Sequence, residues 1–313
     1  MIMIRVGVIG VGAMGQHHVR IYSEMEEVEL VGISDVDQKR VQELADQYGV
    51  KAFTDHNKLL DEGLDAVSIV VPTTLHKKVT LDAINSNTNV LVEKPIADTL
   101  ENADIMIEAA EKAGLTLMVG HIERFNPATS KMKEIIESGL LGRIVSISTR
   151  RVGPYNPRIR DVGIILDLGV HDIDAISYMY ASNVSEVYAI AGKDVHSQED
   201  HASIMLRFED NRAGVANTNW LTPHKVRKME VIGVDGVGYL DYIDQTVTIH
   251  DANWVRDAKV EKGEPLAKEL EHFIECTRTG KRPIVSGIEG KHALNVALAA
   301  IESYNTNKLV KIK

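Results

Sequence analysis

A single cysteine, Cys276, stands among 313 residues. Neither an intramolecular disulfide nor a cysteine-based zinc site can be built from it, and such usage suits a reducing compartment. A basic stripe is also missing. Asp plus Glu number 45 against 35 Lys plus Arg, a net charge of −10, and no segment concentrates the cations as nucleic-acid binding requires. No apolar run reaches the ~18 uninterrupted residues of a membrane span. The one stretch that imitates a targeting core, residues 6–15 behind Arg5, is broken by Gly10, Gly12 and Gly15. The 12 histidines include no HxH or HxxxH pair, so no metal is expected. These absences predict a cytoplasmic globular protein with no membrane or nucleic-acid partner. At 44% hydrophobic and 26% charged residues, the composition also excludes disorder, and the length suits two domains.

In the first 120 residues short apolar runs alternate with amphipathic stretches: IRVGVIG, VELVGISD, DAVSIVVP, NVLVEKP and LTLMVGH. Continuous rather than alternating runs belong to strands buried on both faces, and the strand, helix, strand rhythm predicts a doubly wound parallel sheet. Asp98 or Thr99 caps a helix ending at Gly114, and Asn126 with Pro127 opens one closed by Gly139. After about residue 143 the period becomes two: Ile204, Leu206 and Phe208 share one face, Met205 and Arg207 the other. With turns at Asp210–Asn211 and Asp235–Gly236, the second domain reads as an antiparallel meander with helices near 167–181, 265–279 and 287–305. The expected division is an α/β dinucleotide-binding domain over 1–121 and an α+β domain for substrate and oligomerisation over 122–313.

The motif GVGAMG follows the first strand and opens a helix, the context a Gly-x-Gly-x-x-Gly fingerprint needs to mean dinucleotide binding. Gly10 permits the tight turn, Gly12 lets backbone approach a pyrophosphate, and Gly15 lets helix and strand pack closely. Ala13 and Met14 lie between, where the helix N-terminus offers N–H groups to phosphate. Asp35 stands 20 residues beyond Gly15, where a carboxylate accepts from the adenosine ribose and favours NAD over NADP. His17 and His18 fall inside the first helix and carry no assigned chemistry.

The third strand ends VVPTTLH and the fourth VEKP. Both deliver residues to the carboxyl edge of the sheet, where ligands of doubly wound folds bind. Pro72, Thr73, His76, Glu93 and Lys94 are therefore candidate cofactor contacts. Lys94 is either a solvated lysine at a strand end or a group that stabilises charge on a reacting hydroxyl. Asp167 and His171, four apart, share a helix face, where a carboxylate can orient a proton-accepting imidazole. The plain alternative is a helix cap and a satisfied core histidine. Arg151, Arg158 and Arg160 precede that helix and suit either a substrate diphosphate or surface salt bridges. Glu123 and Arg124 follow the fifth strand and are placed near cofactor or substrate.

GVGAMG with Asp35, VPTTLH, VEKP, GHIERFNP, DLGVHDID and the closing IVSGIEGKHALNVALAAIES together resemble, in order, the Gfo/Idh/MocA oxidoreductase family over essentially the whole chain. The resemblance implies a Rossmann domain followed by a domain with a large open, mainly antiparallel sheet that mediates homodimers or homotetramers. It also implies NAD-dependent oxidation of a sugar or cyclitol carbon, with Lys94, Asp167 and His171 as the catalytic trio. Thr73 and Thr74 stand where the family frequently has Asn after Pro72. The segments GHIERFNP and RVGPYNPRIRDVGIILDLGVHDID are most similar to the branch acting on UDP-N-acetylglucosamine at C3, which implies Arg124, Arg158, Arg160 and His171 as substrate contacts. A dehydrogenase of a free sugar or inositol, and a non-enzymatic NAD-binding sensor, remain the alternatives.

Overall fold

Six strands, β1 (Ile4–Ile9), β2 (Val28–Ser34), β3 (Lys51–Phe53), β4 (Ala66–Ile69), β5 (Asn89–Glu93) and β6 (Leu117–Gly120), form an all-parallel sheet in the order β3-β2-β1-β4-β5-β6. The computed structural model describes residues 3–156 and 162–312. Helices α1 (Gly15–Glu24), α2 (Gln38–Tyr48), α3 (His56–Leu60), α4 (His76–Asn85) and α5 (Leu100–Ala113) connect the strands. Every residue of β4 is buried, and its one polar member, Ser68, is satisfied by the Tyr22 hydroxyl of α1 at 2.8 Å. Such strands read as continuous apolar runs because helices cover both faces. The strand order reverses between β1 and β4, and a crevice opens beyond their carboxyl ends. Neither β3 nor α3 was anticipated: three and five residues give no periodic signal.

The second unit contains β7 (Ile144–Pro154), β8 (Val184–Gly192), β9 (His201–Phe208), β10 (Ala213–Asn219), β11 (Leu221–Gly233), β12 (Val237–Asp241), β13 (Thr246–His250), β14 (Val255–Ala258) and β15 (Val310–Lys311). They form one nine-stranded sheet in the order β14-β13-β12-β11-β7-β10-β9-β8-β15. On β9, Ala202, Ile204, Leu206 and Phe208 are buried while Met205 is 59% exposed, the alternation expected of a sheet covered on one face. The simple meander needs correction, because β7 lies between β10 and β11 and runs parallel to β10. A parallel pair requires a long crossover, and the chain between β7 and β10 supplies it, including α7 (Val170–Tyr180). Helix α6 (Pro127–Glu137), capped by Asn126, contributes with α7 to the core on the covered face.

Two further helices, α8 (Pro265–Thr279) and α9 (Gly287–Thr306), close the chain. The sequence expectation put all of 122–313 in one domain, but Leu266–Lys291 pack with the first unit, and α9 continues into the second from His292. Glycines are the reason. A Cβ at Gly287 would stand 2.6 Å from Ile107, and one at Gly290 would stand 2.6 Å from Val119, so bare helix backbone lies against α5 and β6. The Val119 N–H donates to the Val285 carbonyl at 3.0 Å. Among the described residues no helix is long and apolar enough to cross a membrane.

Candidate active site

A cleft of about 650 Å³ at the carboxyl edge of the parallel sheet is lined by Gly10, Gly12, Asp35, Arg40, Pro72 and Lys78, among others. Gly10 has φ +91°, and a Cβ there would collide with the Val70 carbonyl; a Cβ on Gly15 would collide with the carbonyl of Gly10. Those two glycines are demanded by the protein's own packing. Gly12 is different: nothing lies within 4 Å of its Cβ position, so its bareness leaves room for something the chain does not itself provide. Helix α1 also starts at Met14 without a side-chain cap or a first-turn acid, whereas α2 and α5 are capped by Asp37 and Thr99. An uncapped N-terminus beside an open glycine fits a phosphate. Asp35 is held by the N–H groups of Val11 at 2.8 Å and Asp37 at 2.9 Å, which fixes its carboxylate in the cleft. Ala13 is exposed beside this turn, and Thr73 is half-buried in a 3₁₀ turn after Pro72.

At the end of β5, the Glu93 side chain is mostly buried and engaged by the protein itself. One carboxylate oxygen lies 3.3 Å from His18 Nε2, and the other accepts the Lys94 N–H at 3.2 Å. Gly120 makes room for it, since a Cβ there would stand 3.1 Å from the carboxyl group. Burial pushes the Glu93 pKa up, but His18 through its hydrogen bond and charge, with Lys94, holds it below the ordinary range. His76 is also turned inward: it is buried, with Nδ1 2.9 Å from the Pro95 carbonyl and Nε2 3.0 Å from that of Val71. Burial depresses its pKa despite both carbonyls, so the neutral ring donates to one of them. Glu93 and His76 thus fix the loops on either side of Lys94 through hydrogen bonds within the protein.

In the second unit, Asp167 lies in a π-helical turn, Ile165–Gly169, that leads directly into α7. Single π turns recur at functional sites. Asp167 and His171 line one cavity of about 240 Å³ together with Arg151, Trp220, Lys225 and Arg227. The Trp220 indole N–H donates to Asp167 Oδ2 at 3.2 Å, and Trp220 meets the Tyr155 ring edge-on at 5.2 Å. At the cavity wall, the buried Arg151 guanidinium donates to Asp172 at 3.0 Å and Glu123 at 2.6 Å. Burial works against the Arg151 charge, but Asp172 and Glu123 outweigh it and raise its pKa. Burial raises the Asp172 pKa in turn, against the pull of Arg151. Among the described residues no group of three His, Cys, Asp or Glu side chains is arranged to hold a metal ion.

Arg124 was expected to meet substrate. It is buried instead, donating through two nitrogens to Asp174 at 2.8 and 2.6 Å and stacking on Tyr178 at 4.8 Å. Arg124 therefore spends its fork on Asp174, whereas Arg151 spends only Nε and Nη1 on Asp172 and Glu123 and leaves Nη2 without a hydrogen-bond partner at the cavity wall. Arg158 and Arg160 lie outside the described residues. Sequence reasoning missed Trp220, Lys225, Arg227 and His18. The extra acids in DLGVHDID, Asp172 and Asp174, were the signal that Arg151 and Arg124 had internal partners.

Residues 4–121 match the family described as oxidoreductase family, NAD-binding Rossmann fold, and residues 129–237 match the GFO/IDH/MocA C-terminal domain. The chain is 30% identical to myo-inositol 2-dehydrogenase of Thermotoga maritima, over 99% of this chain and 98% of that one. It is 29% identical to UDP-N-acetylglucosamine 3-dehydrogenase of Acidithiobacillus ferrooxidans, over 97% and 99% respectively. A solved structure of the latter enzyme superposes with a TM-score of 0.91, covering 98% of this chain and 99% of that one at 28% identity. Residues 4–121 accordingly form an NAD-binding unit, and the chain belongs to the Gfo/Idh/MocA family of NAD-binding oxidoreductases.

Proposed function

We propose that this protein oxidises a secondary alcohol on a sugar or cyclitol ring, and that its substrate is UDP-N-acetylglucosamine, converted at C3 to the 3-keto sugar. The observation that carries the reading is that Asp167 and His171 line one cavity, a carboxylate and an imidazole within a turn of each other. His171 takes the hydroxyl proton on a ring nitrogen, and the Asp167 carboxylate stabilises the imidazolium that results. Trp220 fixes that carboxylate. Lys94, on the loop fixed by Glu93 and His76, supplies positive charge to the oxygen as its proton leaves. Bound NAD supplies the acceptor for the hydride that departs from the carbinol carbon. The turn at residues 10–15 and Asp35 bind and orient that cofactor.

Support for the nucleotide sugar comes from the UDP-N-acetylglucosamine 3-dehydrogenase that aligns across 97% of the chain. The inositol dehydrogenase of similar identity keeps a free cyclitol as the second reading. The exposed face of the nine-stranded sheet, where Met205 is 59% and Ile190 63% exposed, is assigned to a homodimer or homotetramer contact, and the cytoplasm is the proposed compartment. NADH formation followed by absorbance across UDP-sugars, hexoses, hexose phosphates and inositols tests the substrate. Turnover confined to inositols overturns the UDP-sugar, and no turnover with any ring alcohol overturns the substrate class.

A further inference from the structure

The cavity that holds Asp167 and His171 has a positive rim that oxidation of a neutral ring does not require. Strand β11 pairs with β7 at Leu221 opposite Pro154 and next at Val226 opposite Val152, so residues 222–225 bulge against Gly153 alone. Bulges beside active sites re-aim side chains, and here the re-aimed residue is Lys225. Its stem crosses Gly153 closely: a Cβ on that glycine would stand 3.2 Å from Lys225 Cγ and 3.5 Å from its Cα. A glycine inside a strand marks such close approach of another segment. Lys225 is exposed and lines the cavity, with no ion pair among the described residues.

Arg227, one step along the same strand, lines the same cavity. Its guanidinium is 3.6 Å from Glu123 and remains 35% exposed. Glu123 is already engaged by Arg151 at 2.6 Å, and Arg151 also takes Asp172. Arg151 thus holds the shorter contacts to both carboxylates and Arg227 only the longer one to Glu123, while Asp167 receives the Trp220 N–H. Two cations two residues apart on one strand, alternating with Val226, are left facing the ligand space.

We infer that Lys225 and Arg227 form a subsite for a phosphoryl group carried by the substrate, so that the ring alcohol oxidised here belongs to a phosphorylated or nucleotide-linked sugar. This rests on the dehydrogenase reading above and adds the substrate's charge. Lysine acts on a phosphoryl oxygen as a point charge and arginine as a planar fork. Neither group touches the reacting carbon, so both govern binding rather than chemistry.

The test uses NAD-saturated full-length protein and Lys225→Met, which keeps the stem over Gly153 and removes the charge. Hexose phosphates, UDP-hexoses and inositols are compared as substrates, and pyrophosphate as inhibitor. The expected result is that Lys225→Met raises KM for a phosphorylated substrate about tenfold, the scale of one charge-assisted contact, with kcat and the KM for NAD little changed. Pyrophosphate inhibits the parent competitively against the sugar and inhibits the variant more weakly. Whether hexose phosphates or UDP-hexoses show the larger effect identifies the source of the phosphoryl group. Turnover of inositols alone, with equal KM in parent and variant, overturns the subsite and leaves the dehydrogenase reading intact. Calorimetric pyrophosphate binding that Lys225→Met abolishes, without turnover of any ring alcohol, supports the subsite and overturns the ring-alcohol substrate. Unchanged KM and unchanged pyrophosphate inhibition overturn the subsite outright.

Discussion

Trp220 donates its indole N–H to Asp167 across 3.2 Å, so a residue at the end of one strand sets the direction of a carboxylate in a π-helical turn 53 residues earlier. The Tyr155 ring packs against the indole edge-on, and His196 lies edge-on at 5.9 Å, so the donor has aromatic neighbours that restrict its ring.

Trp220→Phe keeps that packing and removes only the donor. A hydrogen bond to a charged group contributes about 1.5–3 kcal/mol, so kcat falls by roughly ten- to a hundredfold if the bond is fully expressed in the transition state. NAD affinity stays near that of the parent. Steady-state kinetics with cofactor titration checks this; an unchanged kcat shows that Asp167 needs no such restraint.

The His18 and Glu93 pair sits under the Lys94 loop, with His18 fully buried and the Glu93 side chain 13% exposed. His18→Ala leaves the carboxylate without that partner and destabilises the fold by about 1–3 kcal/mol at neutral pH. The pH dependence follows from the lowered Glu93 pKa. Between the folded value and the ordinary carboxylate value of about 4.3 the unfolded chain binds more protons, so stability rises with pH across that window. The contribution is fully present above the unfolded value and is lost as pH falls through the folded one. Urea unfolding at neutral pH and at about pH 3.5 measures it: the deficit of His18→Ala is largest at neutral pH and shrinks in acid. An equal deficit at both pH values removes Glu93 from the account.

The parts legible in the sequence are those where one local rule decides. Continuous apolar runs announced β1, β4 and β5, and the alternation around Ile204 announced β9. What could not be read depends on partners far apart in the chain. Arg124 meets Asp174 across 50 residues and Arg151 meets Asp172 across 21; a local motif shows only that an arginine stands near ligand-binding segments. His76 likewise fits a polar strand end, but its carbonyl partner Pro95 lies 19 residues on. The apolar stripe of α8 shows that the helix is buried without showing which core takes it. Lys225 was hidden because an unpaired four-residue bulge leaves no periodic trace.

The inward turn of Arg124 separates two roles by measurement. As a substrate contact it would raise KM on removal without loss of stability. As one half of a buried, doubly bonded pair it takes, on removal, both charge-assisted hydrogen bonds from the buried Asp174 carboxylate, which costs about 3–5 kcal/mol. Arg124→Met is therefore expected to lower the urea midpoint sharply, and any activity it retains to show a near-parental KM. A parental midpoint with a raised KM would restore the ligand role.

Asp35 is expected to make the enzyme prefer NAD to NADP. Its carboxylate is fixed by two backbone N–H groups and lines the cleft beside Gly12, the place proposed for the cofactor, where a carboxylate is expected to accept from a ribose hydroxyl and repel a 2′-phosphate. Arg40 lies 3.8 Å away with its side chain 46% exposed and lines the same cleft, so a phosphate-binding group is already present but is masked by the acid. Asp35→Asn keeps an acceptor oxygen for one of the two backbone N–H groups, takes it from the other, and removes the charge. The variant should lose about ten- to a hundredfold in NAD affinity, the scale of one charge-assisted contact, and gain in NADP affinity through Arg40. Adding Arg40→Ala to it should abolish that gain while changing NAD binding little. Dissociation constants for both cofactors across the three proteins decide the matter. Equal or tighter NADP binding by the parent would mean that Arg40, rather than Asp35, governs the ribose end of the cleft.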